Sequence, residues 1–142
     1  MVATELRVIY GDTDRMGVAY YANYLRWFEA GRGEYMRARG LLYRDFETRF
    51  GLGLPVVEAG VRYLAPARYD DLIRVETTLV EARRATARFE YRIVRGADVL
   101  ATGHTVHACV DAEGRVQRMP RELLERLAPA EGGEAPRKPE QE

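Results

Sequence analysis

Between residues 11 and 32 the chain reads GDTDRMGVAYYANYLRWFEAGR. Two carboxylates, Asp12 and Asp14, and a glycine, Gly17, stand ahead of an aromatic-rich stretch that opens with Tyr20 and Tyr21. An aspartate before a helix is most often a turn former or an N-cap. The spacing argues otherwise for Asp14, which lies six or seven residues upstream of a helix starting at Tyr20 or Tyr21, too far to bond its second or third amide directly. Gly17 permits a tight or positive-φ turn that folds the carboxylate back beside the free amides of the helix start. A carboxylate able to act as nucleophile or general base and N–H groups able to hold charge on an oxygen would then share one site.

The inventory removes most other chemistries. Serine is absent and the only lysine is Lys138, near the C-terminus, which excludes serine triads and an internal Schiff-base lysine. Cys109, with no helix start or basic partner evident in the sequence, reads as a small buried hydrophobe. His104 and His107 fall three apart in a strand-like segment, hence on opposite faces, and make a poor metal pair. No P-loop or strand-linked glycine fingerprint occurs. Arg83, Arg84 and Arg88 have the chemistry to grip phosphates, but in so arginine-rich a chain they read as a solvated face. The 22 basic and 22 acidic residues balance, so nucleic acid is not an expected partner. No run approaches the roughly 18 apolar residues of a membrane span, and no signal peptide is evident. With a single cysteine, the expected location is the cytoplasm.

A chain of 142 residues suits one domain with one core. The pattern predicts a short strand over 5–10, then a helix from Tyr21 to about Arg39 with Tyr21, Tyr24, Leu25, Phe28, Tyr35 and Met36 on one face. Gly31 and Gly33 inside it are read as sites where another backbone comes close. A second helix is expected over 43–50 and strands over 56–68, 71–82, 84–94 and 99–111, with a hairpin turn at 95–98. A last amphipathic helix over 120–127 precedes a Pro-, Gly- and Glu-rich tail, 128–142, expected to be disordered. The domain therefore spans 1–127. The element order implies an α+β fold in which a mainly antiparallel sheet covers one helix, leaving a strand edge that invites a second copy.

The segment YGDTDRMGVAYYANYLRWFEAGRGEYMRARG resembles the signature of the hotdog-fold acyl-CoA thioesterases of the 4-hydroxybenzoyl-CoA thioesterase and YbgC-like family, and VRYLAPARYDDLIRVET resembles that family's second shared block. The likeness runs from about residue 5 to 127. It implies a five-stranded sheet wrapped around one long central helix, and a homodimer joined edge to edge, often paired again into a tetramer. It also implies acyl-CoA bound at the dimer interface and hydrolysed to acid and CoA. No metal and no cofactor is implied, coenzyme A being part of the substrate. The family's catalytic aspartate falls on Asp14, its oxyanion donor on the Tyr21 backbone amide, and an aromatic site residue of the YbgC branch on Tyr10. Gly17, Val18 and Tyr24 fall at substrate-binding positions. Where some relatives carry a histidine this chain has Tyr21, which leans toward the benzoyl-CoA side of the family. Asp14 would either attack the thioester to form a mixed anhydride or activate water, and both routes stay open. The alternatives are a non-catalytic acyl-CoA-binding module on the same fold and a thioesterase acting on acyl carrier protein.

Overall fold

The alternation of Ala87, Phe89, Tyr91 and Ile93 with Thr86, Arg88, Glu90 and Arg92 makes residues 86–95 a strand with one dry face. The computed structural model describes residues 1–128; from residue 129 onward the expected tail lies outside the described residues. The strands are β1 (Val2–Arg7), β2 (Val56–Tyr63), β3 (Leu72–Ala82), β4 (Thr86–Arg95) and β5 (Asp98–Ala108). They lie in the order β1-β3-β4-β5-β2, with every neighbouring pair antiparallel. The helices are α1 (Asn23–Ala38), α2 (Tyr43–Phe50) and α3 (Arg121–Leu127). The inward faces of β3 and β4 bury Ile73, Val75, Leu79, Phe89, Tyr91 and Ile93 with α1, and the Phe28 ring of α1 stacks on Tyr91 at 4.3 Å.

Some expectations shift. β1 ends at Arg7 rather than at residue 10, because the Ile9 N–H turns away from the sheet to the Asp12 carboxylate at 2.9 Å and a single 3-10 turn, Tyr10–Asp12, follows. β2 stops at Tyr63, short of Pro66, which has no N–H for a ladder. The strand at 99–111, expected nearer the sheet centre because apolar residues lie on both its faces, is β5 and lies between the central strand β4 and the edge strand β2. On α1 the buried stripe uses Trp27, 6% exposed, while Leu25 is 41% exposed. At Gly31 it is side chains of β3 rather than another backbone that come close: a Cβ there would collide with Thr77 Oγ1 and sit 2.8 Å from Val75 Cγ1. At Gly33 nothing does, since a Cβ there meets nothing within 4 Å.

Beneath α1 a buried polar chain ties helix to sheet. The His107 Nδ1 atom lies 2.9 Å from the Leu54 carbonyl, which can only accept, so Nδ1 carries the proton and Nε2 accepts from the Thr105 hydroxyl at 2.8 Å. Thr105 Oγ1 in turn accepts a hydrogen bond from the Tyr91 hydroxyl at 2.6 Å, and Tyr91 accepts from Arg32 Nη1 at 3.2 Å. Burial pushes the His107 imidazole below its ordinary value of 6.5 and the Arg32 charge adds to this, while the Leu54 hydrogen bond opposes it. A depressed histidine costs stability as pH falls, because below about 6.5 the unfolded chain takes up a proton that the folded chain resists. The melting temperature should therefore decline between about pH 7.5 and 5, and His107→Asn should start lower but vary less over that window. Asp71 and Asp111, held below their ordinary 3.8, enter only in more acid solution. A parent melting temperature that stays level across the window would mean that His107 protonates in place.

Candidate active site

The residues before α1 are fixed by Asp12, which is only 4% exposed. One carboxylate oxygen accepts the Ile9 N–H, the other lies 3.6 Å from Arg26 Nη1, and its carbonyl accepts the Tyr20 N–H and Asn23 Nδ2, both at 2.8 Å. Asp12 is thus a clamp joining the 3-10 turn to the helix start. Between Thr13 and Ala19, which pair as a single antiparallel bridge, the chain makes a tight loop. The Asp14 N–H donates to Val18 O at 2.9 Å, the Gly17 N–H to Asp14 O at 3.0 Å, and Gly17 takes φ +78°, a conformation glycine adopts without steric cost. Asp14 Oδ1 accepts the Met16 N–H at 2.8 Å; Oδ2 has no hydrogen-bond partner among the described residues. The loop is moored by the Ala19 N–H on Ala67 O at 2.8 Å.

The helix start is wound more tightly than an α-helix. The Asn23 N–H meets Tyr20 O at 2.9 Å and the Leu25 N–H meets Ala22 O at 3.2 Å, both three residues apart. In the run Ala19–Leu25 only the N–H groups of Tyr21 and Ala22 donate to nothing among the described residues. Two adjacent free N–H groups at a helix start make an anion-binding corner. Nearby, the Tyr20 phenol is pushed above its ordinary 10.0, first by the hydrogen bond and charge of the neighbouring Tyr21 phenol, with burial and the Asp14 charge as lesser contributions.

A profile of the thioesterase-like superfamily matches residues 8–127. The chain belongs to that superfamily. It is 38% identical over 106 residues, 75% of this chain and 78% of the relative, to the acyl-CoA thioesterase YbgC of Haemophilus influenzae. To the 1,4-dihydroxy-2-naphthoyl-CoA hydrolase of Thermosynechococcus vestitus it is 34% identical over 116 residues, 80% of this chain and 77% of that one. The crystal structure of an aspartate-to-asparagine variant of 4-hydroxybenzoyl-CoA thioesterase, complexed with 4-hydroxybenzoyl-CoA, superposes with a TM-score of 0.82 at 25% identity, covering 89% of this chain and 98% of that one. The architecture is the hotdog fold of these thioesterases, and the chain is a thioester hydrolase.

Each of the other residues singled out in this thioesterase has contacts of its own. Tyr10 is 78% exposed; its ring packs edge-on against Tyr69 at 5.6 Å and its carbonyl accepts from Thr13. Val18 serves the loop through its carbonyl. Tyr24 is buried as a strut, its hydroxyl accepting the Ala67 N–H at 3.0 Å and its ring against Trp27 and Tyr63. Cys109 is buried and burial pushes its thiol up. A cleft of about 390 Å³ opens between β1 and α1, lined by Leu6, Ile9, Asp12, Arg26 and Trp27 among others, on the Asp12 side. Among the described residues no three His, Cys, Asp or Glu side chains converge as a metal site, and no helix is long and apolar enough to cross a membrane. Sequence reasoning passes over Asn23 and Tyr63. The first reads as an ordinary polar helix residue and the second as one more aromatic strand residue.

Proposed function

We propose that this thioesterase hydrolyses acyl-CoA to free acid and coenzyme A, with Asp14 as nucleophile or general base and the Tyr21 N–H as oxyanion donor. The reading is supported by a half-exposed carboxylate with one oxygen unengaged among the described residues, on the loop that leads into a helix start whose Tyr21 N–H has no acceptor among them. In the covalent route, Asp14 adds to the thioester carbonyl, the oxyanion collapses, the C–S bond breaks to release CoA thiolate, and water cleaves the mixed anhydride. In the other, Asp14 takes a proton from water, the resulting hydroxide adds, and the thiolate leaves and is protonated. Either way negative charge grows on the carbonyl oxygen, where the helix start offers N–H groups and about half a positive charge. Gly17 and Val18 shape the loop beside the acyl group. The relatives' names, YbgC acyl-CoA thioesterase and 1,4-dihydroxy-2-naphthoyl-CoA hydrolase, favour catalysis on CoA esters over a binding module or a carrier-protein substrate.

The working form is a homodimer, itself paired into a tetramer, in the cytoplasm. Supporting the dimer, the edge strand β2 and the residue after it leave Val56, Val57, Tyr63 and Leu64 exposed beside an outer side that pairs with no strand among the described residues, the arrangement that recruits another strand. A panel of acyl-CoA esters from short aliphatic to aroyl, followed by free-thiol release, tests the activity; no release from any member overturns it. A monomer by light scattering at micromolar concentration overturns the composite interface.

A further inference from the structure

We infer that Tyr63, on the edge strand β2, is a positioning residue for the oxyanion amide, an inference that rests on the reading of Tyr21 given above. Its hydroxyl donates to the Tyr21 carbonyl at 2.7 Å. Its ring has little freedom to swing away, standing nearly perpendicular to the Tyr24 ring at 4.9 Å and to the Tyr21 ring at 6.5 Å. Tyr24 is pinned in turn by the Ala67 N–H at its own hydroxyl. The β2 edge and the loop after it thus reach the helix start through a continuous set of contacts.

The consequence lies in the peptide planes. The Tyr21 N–H shares a plane with the Tyr20 carbonyl and points opposite to it, and that carbonyl is held by the Asn23 N–H at 2.9 Å. On the other side of Tyr21, the carbonyl would in a regular α-helix accept the N–H of residue 25, but the Leu25 N–H is spent on Ala22 O, and the Tyr24 N–H approaches Tyr21 O only at 3.4 Å. The Tyr63 hydroxyl supplies the short bond instead. It holds the tightly wound start against relaxing into α-helical pairing, a relaxation that would rotate the planes around Tyr21 and re-aim its N–H. The Tyr63 bond fixes directly the plane shared by the Tyr21 carbonyl and the Ala22 N–H, and through the tight winding it steadies the adjoining plane that carries the Tyr21 N–H.

Tyr63→Phe removes the hydroxyl and keeps the ring. Turnover of an acyl-CoA active in the panel should fall about tenfold with KM within about twofold and the melting temperature little changed, a fraction of the hundredfold or more that losing an oxyanion donor outright costs. The decisive comparison is the same change made in Tyr21→Pro, where the amide is gone. There Tyr63→Phe should have no further effect on turnover, since two changes acting through one group do not add. An equal loss in both backgrounds, or no loss in the parent background, overturns the inference while leaving the thioesterase reading intact. Should Tyr21→Pro not fold, the Tyr21 amide resonance gives the second measurement. Binding a CoA ketone analogue should shift it downfield in the parent and much less in Tyr63→Phe; equal shifts overturn the inference. A parent that hydrolyses no thioester overturns both readings together.

Discussion

Asp14→Asn should fold as the parent does, bind acyl-CoA, and lose nearly all turnover. The fold is spared because asparagine keeps the Oδ1 acceptor that holds the Met16 N–H at 2.8 Å, while the atom that changes, Oδ2, has no hydrogen-bond partner among the described residues and sits on a half-exposed loop. The chemistry is not spared, because a carboxamide neither attacks a thioester nor takes a proton from water. A positioned base is worth about a hundredfold to ten-thousandfold, and turnover should fall by at least that, with melting temperature and CoA affinity unchanged. Asp12 gives the opposite outcome. Asp12→Ala strips the buried partner from the Ile9 N–H, which costs about 1–3 kcal/mol of stability, yet folded protein should keep most of its turnover. Near-normal turnover in Asp14→Asn would return Asp14 to the role of turn former.

The two aspartates mark where sequence reading is strong and where it stops. Periodicity exposes the long helix and the strand read at 84–94, because burial of one face repeats along the chain and needs only local spacing, and the turn segment RGAD exposes the hairpin at 95–98. Gly17 exposes the Asp14 loop for the same local reason: its φ of +78° is a property of one residue. Contacts between distant residues leave no such trace. Asn23 reaches Asp12 across eleven positions and Tyr63 reaches Tyr21 across 42, and nothing in either residue's type announces its partner. The end of β1 is misplaced for a local reason instead, since Ile9 fits the strand alternation and is diverted by the Asp12 carboxylate three residues on. His107 likewise reads as a strand residue until the fold places Leu54 O and Thr105 on its two nitrogens.

Tyr21→Pro should leave a folded protein with turnover about a hundredfold to a thousandfold below that of Tyr21→Ala, the loss typical of one oxyanion donor and equal to about 3 to 4 kcal/mol. The helix itself begins at Asn23 rather than at residue 21, and this makes the proline easier to accommodate. Tyr21 occupies the second position of the turn closed by the Asn23 N–H on Tyr20 O, the place where proline is favoured, and Ala22 follows in helical conformation at φ −69° and ψ −21°. Proline deletes an N–H that no described residue accepts, so the fold loses no hydrogen bond. Alanine is the control because it removes the same ring, 61% exposed, and keeps the amide; the ratio of the two variants therefore reports the amide alone. The deficit should fall on kcat rather than KM, since the charge being held exists only in the transition state. Circular dichroism and melting establish that both variants are intact. Equal turnover in two folded variants would take the oxyanion away from Tyr21 and toward the Ala22 N–H, the next free donor in the same turn.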